Sequence, residues 1–537
     1  MITAIGLATA LTAVGLIGFE AGAQTQVYTA VQARPATTMA SINRGVLRAA
    51  ATTAAPQVPQ GTSIVPQAAL QNETSSFSQV NTVFCGLTFA AAAIAAYVTA
   101  MAKKPAEAVA LMAAAGPKLD IQMPTSLAAP LPFSHSRPTG TIAMAAVASE
   151  IVEYSPIKFP PLKNDRLLRT VRGEPVDRIP IWIMRQAGRY LPEYRQFMAD
   201  KEFFQVCRNP KQVAEITLQP VLRYDLDASI IFSDILVIPQ AMGCSITLHP
   251  EKGPVFKEPV DSRAAWHKMQ DELLQTLGTP MPGATSADKN AALIANVGKL
   301  VSPSLDYVYA AITETRMQLD GRVPLLGFCG APMTLAIYMI EGGGSRTFAK
   351  SSRLMNGDPQ TAHEMLTVLA HMCAHYLSNQ IKAGAQAVQV FDSYAGALSP
   401  DIWREFSLPY MKLIAELIKK EFPQMPTICF AKDAHYGLGD LAASAYDVVA
   451  LDSSVDLGAC HRQMAAQGKA VQGNFDPTVL YAPPEKITAI VSEGLKEAFG
   501  TTIPTKYIAN MGHGMSPDHD PVHLGAFIDA VHAFGQK

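Results

Sequence analysis

Eight short apolar runs recur along the chain beyond residue 155, and they limit the folds that it can adopt. They cover residues 179–184, 228–235, 324–329, 387–391, 427–430, 447–451, 469–472 and 506–509. Continuous apolar runs of this length are typical of parallel strands that are covered on both faces. Between them the apolar residues follow helical spacing, most clearly at 400–422, 484–499 and 521–534. Eight strand–helix units predict an α/β fold, a (β/α)8 TIM barrel.

A doubly wound open sheet is the alternative fold for alternating strands and helices. It uses fewer strands, and the dinucleotide-binding pattern G-x-G-x-x-G does not follow the first apolar run. The barrel is therefore the favoured prediction. We interpret residues 270–300, which contain Pro280, Pro282 and Gly283, as an insertion in a loop or helix of this barrel.

Polar residues stand directly after the apolar runs. Arg185 and Arg189 follow the first run, and the second run ends in Ser233-Asp234. Other runs are followed by Ser393, Lys432-Asp433 and Gly512-His513-Gly514. In a barrel the carboxyl ends of all strands meet on one face, where the active site is built. The sequence therefore predicts one pocket that brings together Arg, Asp, Ser, Lys and His side chains.

Composition excludes several classes of function. The chain has 43 Lys+Arg against 45 Asp+Glu, and no basic run of the kind that nucleic-acid binding needs. Its seven cysteines form no C-x-x-C pair, so neither a disulfide framework nor a structural zinc site is expected. A P-loop and an HExxH motif are also missing. We therefore predict no nucleic-acid partner, no metal and no cofactor.

The first 150 residues differ in composition from the rest and predict a targeting leader ahead of a barrel domain at 151–537. Residues 1–23 are mostly apolar and resemble a secretory signal without its charged start. Residues 24–74 carry three arginines, and residues 21–72 contain no Asp or Glu, which is typical of an organelle transit peptide. An apolar run at 83–102 has about the 20 residues that cross a bilayer; a buried Ala-rich helix is the alternative.

Residues 103–150 are rich in Pro and Ala and are interpreted as a linker. The order of signal, transit-like stretch and second apolar run resembles the leaders of plastid proteins in algae with complex plastids. We therefore expect plastid delivery of a soluble mature enzyme that has no membrane partner, with the cytoplasm as the alternative location.

Several segments resemble signatures of the uroporphyrinogen decarboxylase family. Residues 180–192, with the sequence PIWIMRQAGRYLP, resemble its first signature, and residues 327–334 with 338–344 resemble its second. Further segments occur in the family's order: Phe232-Ser-Asp234, Phe391-Asp-Ser393, Phe430-Ala-Lys-Asp433, Gly473-Asn-Phe-Asp-Pro477 and Asn510-Met-Gly-His513-Gly. The likeness covers about residues 155–537. Met333 replaces a usual Trp and Ser453 a common aromatic residue, and both changes are expected to alter pocket packing.

The resemblance implies a cofactor-independent barrel enzyme, usually a homodimer, in the biosynthesis of haem and chlorophyll. Such an enzyme removes all four acetate carboxyl groups from the tetrapyrrole uroporphyrinogen III and releases coproporphyrinogen III and carbon dioxide. By the matching motifs, Asp234 and Arg185 are expected to be catalytic. The expected substrate-binding residues are Arg185, Gln186, Ala187, Gly188, Arg189, Asp234, Tyr338, Ser393 and His513.

The residue types are suited to this chemistry. Decarboxylation of an acetate needs a sink for electrons, which many enzymes recruit as a cofactor; a pyrrole protonated at a ring carbon is such a sink. Asp234 offers an anion to the cationic ring and to pyrrole N–H groups. Arg185 and Arg189 offer planar forks for carboxylates, and Arg185 is the nearest candidate proton donor. Tyr338, Ser393 and His513 can donate hydrogen bonds to peripheral carboxylates.

Each of these residues also has a structural interpretation. Asp234 and Ser393 have the alternative role of turn or cap residues, and His513 that of a core histidine. We interpret Lys432, Asp433 and His435 as supporting residues. One alternative function is that of a zinc-dependent corrinoid methyltransferase, which typically uses a His-x-Cys pair, whereas this chain has His435-Tyr436-Gly437. A second alternative is a non-catalytic tetrapyrrole-binding protein.

Overall fold

Seven parallel strands form one curved sheet in the computed structural model, which describes residues 152–249 and 251–536. The strands of the described residues are β1 (Ser229–Ile230), β2 (Ile246–His249), β3 (Gly253–Phe256), β4 (Leu325–Gly330), β5 (Ala387–Asp392), β6 (Thr427–Ala431), β7 (Val448–Ala450), β8 (Ala470–Phe475) and β9 (Tyr507–Met511). The order in the sheet is β1-β4-β5-β6-β7-β8-β9, and every pair is parallel. The hairpin β2–β3 is antiparallel and separate.

The segment 179–184 closes this sheet into a barrel. On one side Ala509 of β9 donates its N–H to the carbonyl of Pro180 at 2.9 Å, and Ile181 forms a parallel bridge with Ala509. On the other side Asp227, just before β1, donates its N–H to the carbonyl of Ile181 at 2.8 Å. The segment therefore takes the first of eight positions around the ring, and the predicted (β/α)8 barrel is confirmed.

The prediction of a regular strand at 179–184 is wrong, since only the bridge at Ile181 forms there. Pro180 has no N–H to donate. Three other residues of the segment donate their N–H groups to side chains, at 3.0–3.1 Å. Ile181 donates to the Asp227 carboxylate, Ile183 to the Gln186 amide oxygen, and Met184 to the Asn510 amide oxygen. These side-chain partners, of which Asp227 and Asn510 are distant in sequence, replace most of a regular backbone ladder along the segment.

Helices flank the strands and fill the connections between them. Those of the described residues are α1 (Arg166–Arg172), α2 (Pro192–Met198), α3 (Phe203–Cys207), α4 (Pro210–Arg223), α5 (Val237–Ala241), α6 (Arg263–Thr276), α7 (Ser286–Ala295), α8 (Val297–Ser304), α9 (Asp306–Leu319), α10 (Pro332–Glu341), α11 (Ala349–Gly357), α12 (Pro359–Lys382), α13 (Pro400–Phe406), α14 (Leu408–Glu421), α15 (Leu438–Ala442), α16 (Leu457–Ala465), α17 (Pro484–Phe499) and α18 (Pro521–Ala533). Within residues 152–249 and 251–536, three short 3₁₀ helices cover Ala395–Ala397, His435–Gly437 and Pro477–Tyr481. None of the helices in the described part of the chain has the length and apolarity that a membrane crossing requires.

The apolar residues form two cores, inside and outside the barrel. The strands alternate between them, as Ile428 and Phe430 belong to the interior cluster while Cys429 belongs to the outer one. Helix α1 closes the interior at the amino-terminal end of the strands, where its Leu167 and Leu168 are at most 2% exposed and pack with the interior cluster. The opposite end, where the strands finish, stays open for a site.

Other predictions agree with the structure in part. The helices predicted at 484–499 and 521–534 form almost as expected, whereas the one predicted at 400–422 is divided at Ser407 into α13 and α14. The predicted insertion at 270–300 is helical and contributes to α6, α7 and α8. The hairpin β2–β3 has no counterpart among the predictions. The leader predicted at 1–150, with its signal-like, transit-like and apolar segments, lies outside the described residues.

Candidate active site

A cavity of about 530 Å³ opens at the carboxyl ends of the barrel strands. Its walls come from the segment after residue 183, from the residues after β1, from β4, β5 and β6, and from the loop after β9. Pro254 of β3 and Tyr338 of α10 complete the rim. This is the face on which the sequence analysis predicts a shared pocket.

Eight of the nine predicted substrate-binding residues line the cavity: Arg185, Ala187, Gly188, Arg189, Asp234, Tyr338, Ser393 and His513. The ninth, Gln186, does not line it. Its side chain is fully buried, accepts the N–H of Ile183 at 3.1 Å and donates to the carbonyl of Ala228 at 3.3 Å. Gln186 therefore holds the turn that presents the two arginines. The binding roles of the eight cavity residues stay predictions.

A strained turn directs Arg185 into the cavity. Its φ of 66° lies in the left-handed region, which non-glycine residues seldom adopt. Gly514 lies against its side chain, because a Cβ at Gly514 would stand 2.4 Å from Cδ of Arg185. Desolvation by the surrounding walls lowers the pKa of Arg185, the neighbouring Tyr338 opposes this fall in part, and the charge of Arg189 adds to it. The net fall makes Arg185 a stronger acid than an exposed guanidinium.

The two carboxylate oxygens of Asp234 differ in role: one holds the local turn, and the other is available to accept a hydrogen bond from a ligand. Its Oδ1 accepts the N–H of Leu236 at 2.7 Å, so the turn interpretation of this residue is correct for that oxygen. No other hydrogen bond to the carboxylate occurs within residues 152–249 and 251–536, which leaves Oδ2 able to accept from a ligand. Burial raises the pKa of Asp234, and the Leu236 N–H opposes this rise only in part.

His513 is a hydrogen-bond acceptor toward the cavity in its neutral form. Its Nδ1 lies 3.1 Å from the carbonyl oxygen of Gly514, which can only accept, so Nδ1 carries the proton. Desolvation lowers the pKa of His513, and the nearby charges of Arg185 and Lys432 lower it further. The neutral ring therefore presents an unprotonated Nε2, and the predicted donation to a carboxylate requires that His513 first gains a proton.

Ser393 and Tyr338 are positioned by the buried carboxylate of Asp392 at the end of β5. Its Oδ1 accepts from the hydroxyl of Thr334 on α10 at 2.8 Å. Its Oδ2 accepts from the Trp403 indole at 3.0 Å and from the Ser407 hydroxyl at 2.6 Å. Asp392 thus ties the helix that carries Tyr338 to the strand that ends at Ser393.

Aromatic residues form the apolar walls, and the sequence analysis did not single them out as cavity residues. Phe328, Phe391 and Phe430 meet edge to face, with ring centroids 5.7 and 6.3 Å apart. Phe203 and Phe232 form a second pair at 5.7 Å on the side of β1. For Phe328, Phe391, Phe430 and Phe232 the available signal was their position at or near the carboxyl ends of apolar runs, whereas Phe203 at the start of α3 had no such signal. Of the two family departures, Met333 and Ser453, neither lines the cavity.

The cavity carries more positive than negative charge. Arg185, Arg189 and Lys432 face it, and Asp234 is the one carboxylate among its lining residues. In the described part of the chain no three His, Cys, Asp or Glu side chains come together as a metal site. The fold and this site define a (β/α)8 barrel protein with an aromatic-walled, mainly cationic cavity at its mouth.

The chain belongs to the uroporphyrinogen decarboxylase family, whose model matches residues 162–534. It is 47% identical over 383 residues to the uroporphyrinogen decarboxylase of Danio rerio, which covers 70% of this chain and 95% of the relative. The human enzyme is 46% identical over 70% of this chain and 96% of its own length. That of Salinibacter ruber is 44% identical over 70% of this chain and 97% of its own.

A solved structure with a similar fold is that of a methyltransferase from Methanosarcina mazei. It covers 70% of this chain and 98% of its own length, with a TM-score of 0.52 and 18% identity. At that identity the likeness shows a shared barrel fold alone. The methyltransferase alternative therefore gains no functional support from it, whereas the decarboxylase relatives share almost half of their residues with this chain.

Proposed function

We propose that the protein is a uroporphyrinogen decarboxylase, a carboxy-lyase that converts uroporphyrinogen III into coproporphyrinogen III with release of four molecules of carbon dioxide. The observation that carries this function is the position of Asp234 as the one carboxylate in an aromatic-walled cavity that also presents two arginines. A tetrapyrrole has an apolar body, N–H groups at its centre and carboxylates on its rim. Each of these parts has a complementary group in the cavity.

The reaction follows from these groups without a bound cofactor. Protonation of a pyrrole carbon forms a cationic ring, for which Arg185, with its lowered pKa, is the candidate donor. The bond between the acetate methylene and its carboxylate then breaks, carbon dioxide leaves, and the electron pair neutralises the ring. A proton from solvent then adds to the resulting methylene, and the ring carbon returns its proton to Arg185, so that a methyl group forms and one solvent proton is consumed for each carbon dioxide. Asp234 stabilises the cation, and this stabilisation lowers the barrier.

The test is turnover of uroporphyrinogen by the purified protein, measured as released carbon dioxide and as coproporphyrinogen formed under anaerobic conditions. Activity that survives exhaustive chelation supports metal independence, and an absorbance spectrum and mass of the purified protein without a bound organic group support independence from other cofactors. Stoichiometric zinc in the protein, together with methyl transfer and no carbon dioxide release, would instead support the methyltransferase alternative. Tight binding of the porphyrinogen without turnover would support the carrier alternative.

Plastid delivery and a homodimer are further parts of this proposal. The support for plastid delivery is the order of apolar, acid-free and apolar segments in residues 1–102, and for the homodimer it is the family resemblance. A fusion of residues 1–120 to a fluorescent reporter is expected to reach the plastid, and a cytosolic reporter would refute this. Sedimentation equilibrium is expected to give twice the mass of the mature chain.

A further inference from the structure

The cations of the cavity stand on opposite sides of the barrel mouth. Arg185 and Arg189 follow the first of the eight positions around the ring, whereas Lys432 follows β6, the fifth position. Positions one and five of an eight-membered ring face each other. A ligand with carboxylates on one edge needs cations on one side of the mouth only. A macrocycle with carboxylates around its whole rim presents them to both sides, so it needs cations on both sides.

The backbone at Lys432 is fixed by the strands below it. The Lys432 N–H donates to the carbonyl of Asp392 at 3.1 Å, and its carbonyl accepts from Gly396 at 2.8 Å. The next residue, Asp433, has a φ of 58° and donates its own N–H to Oδ2 of Asp452 at 3.0 Å. This left-handed turn holds the Asp433 carboxylate against the lysine ammonium.

The ammonium keeps donor capacity for a ligand. The lysine side chain is 29% exposed, and among the described residues its only ion-pair partner is Asp433, which is 54% exposed. An ammonium has three N–H donors, so one contact with Asp433 leaves two donors available. Its charge also reaches the centre of the site, because it contributes to the lowered pKa of His513.

We propose that Lys432 binds a peripheral carboxylate of the substrate, opposite the two arginines, and thereby selects for a ligand with anionic groups around its entire rim. This role replaces the supporting role that the sequence analysis gave to Lys432. It rests on the proposed decarboxylase function. The competing interpretation is an ordinary surface ion pair with Asp433, which contributes little to either binding or stability.

The test compares Lys432→Met, which removes the charge and keeps the apolar stem, with Lys432→Arg, which keeps a cation. Loss of one charge-assisted hydrogen bond predicts a rise of about tenfold in KM for Lys432→Met, with kcat within about twofold of the wild type. The dependence of kcat/KM on salt should become shallower. Lys432→Arg should recover most of the affinity, and an Arg variant as weak as the Met variant would overturn the proposal.

Lys163→Met is the matched control for net charge. Lys163 pairs with Asp320 at the amino-terminal end of the barrel, where the side chain is 58% exposed, so its loss should leave KM unchanged. A second variant, Asp433→Asn, retains a residue type that tolerates the left-handed turn and releases the ammonium. We expect its KM to equal the wild-type value or to fall below it, whereas a rise like that of Lys432→Met would mean that the pair is only structural.

The two proposals fail in different ways. If the wild type releases no carbon dioxide from uroporphyrinogen, the proposed function itself is wrong. If the wild type is active and the folded Lys432→Met variant keeps the wild-type KM and salt dependence, only the role of Lys432 is wrong. Circular dichroism and a thermal melt of each variant separate loss of binding from loss of fold.

Discussion

At the scale of single residues, Asp234 holds its local turn with one carboxylate oxygen and offers the other to a ligand. Asp234→Asn keeps an acceptor for the Leu236 N–H at Oδ1 and deletes the charge. If the carboxylate stabilises a cationic ring, the loss falls on the transition state, so kcat should decrease by about 10²–10³-fold. Asp234→Glu moves the charge by one methylene and should cost about 10²-fold. Steady-state kinetics measures both.

The thermal melt of Asp234→Asn serves as the control. Because the turn contact survives, its Tm should stay within about 2 °C of the wild type, which corresponds to less than about 1 kcal/mol. A well-folded Asn variant with nearly normal kcat would show that Asp234 acts only in the turn.

His513 should couple ligand binding to proton uptake. The pKa of His513 in the free protein lies below its ordinary value of 6.5, and a bound carboxylate raises it because the charged ring then has a partner. Between these two pKa values binding takes up a proton, so affinity rises as pH falls. From about pH 8 to 6 the Kd of an octacarboxylate porphyrin should fall by roughly three- to tenfold.

The His513→Gln variant separates this coupling from other titrations. Gln retains a hydrogen-bonding side chain and cannot titrate, so its Kd should be nearly independent of pH in the same range. A wild-type Kd that rises as pH falls, or a Gln variant that keeps the full dependence, would contradict the assignment. Fluorescence titration of the porphyrin at several pH values measures the Kd.

At the scale of elements, the Asp392 carboxylate joins β5, α10, α13 and the start of α14. Burial raises its pKa, and three donors oppose this rise. Asp392→Ala would leave the Thr334, Trp403 and Ser407 donors without their partner, which should cost about 3–5 kcal/mol. At about 2–4 °C for each kcal/mol, Tm should fall by roughly 6–20 °C.

Thr334→Val is the graded control, since it removes one of these hydrogen bonds and keeps the shape of the side chain. It should lower the stability by about 1 kcal/mol and raise KM modestly, because α10 carries both Thr334 and the cavity residue Tyr338. Equal Tm values for the wild type and Asp392→Ala would mean that the elements are held by apolar packing alone.

Helices and strands were predictable from the sequence where the local pattern of apolar residues determines them. The apolar runs gave β4 to β9 within a few residues, because buried parallel strands are apolar throughout. The helix predicted at 400–422 is divided by a local signal that its helical spacing hides, because Pro409 in the first turn of α14 has no N–H with which to continue α13. The hydroxyl of Ser407, between the two helices, donates to Asp392. The irregular segment at 179–184 was not predictable from local pattern. Side chains of Asp227 and Asn510, which are distant in sequence, accept N–H groups of this segment that a regular strand would donate to a neighbouring backbone.

At the scale of the whole molecule, the rule that strand ends meet on one face predicted the set of cavity residues without any coordinates. It brought Arg185 and His513 together across more than 300 positions of the chain. It did not reveal which side chains face inward. Gln186 turned away to support its loop, and Asp433 does not line the cavity although it follows the same run as Lys432. Side-chain direction depends on local turns, such as the left-handed residues at 185 and 433.

The segment just before the family match also belongs to the fold. Glu153 pairs with Arg316 at 3.2 Å, and the Arg316 guanidinium lies 4.5 Å above the ring of Phe159. Tyr154 packs edge to face on Phe422 at 5.2 Å. Arg316 is only 4% exposed, so these contacts compensate a buried charge. Residues 153–159 therefore fasten the start of the barrel domain to α9 and to the end of α14.

A chain that begins at residue 162 should consequently be less stable than one that begins at residue 146. The loss of the Glu153, Tyr154 and Phe159 contacts is worth about 2–3 kcal/mol, or roughly 4–12 °C in Tm. Because these contacts involve α9 and α14 and none of the three residues lines the cavity, kcat at 20 °C should change by less than about twofold. Phe159→Ala in the longer chain should reproduce about half of the loss, since it leaves the ion pair intact. Equal melting of the two chains would show that the barrel is complete from residue 162, and a large fall in kcat with an unchanged Tm would show that the segment acts on the cavity rather than on the fold.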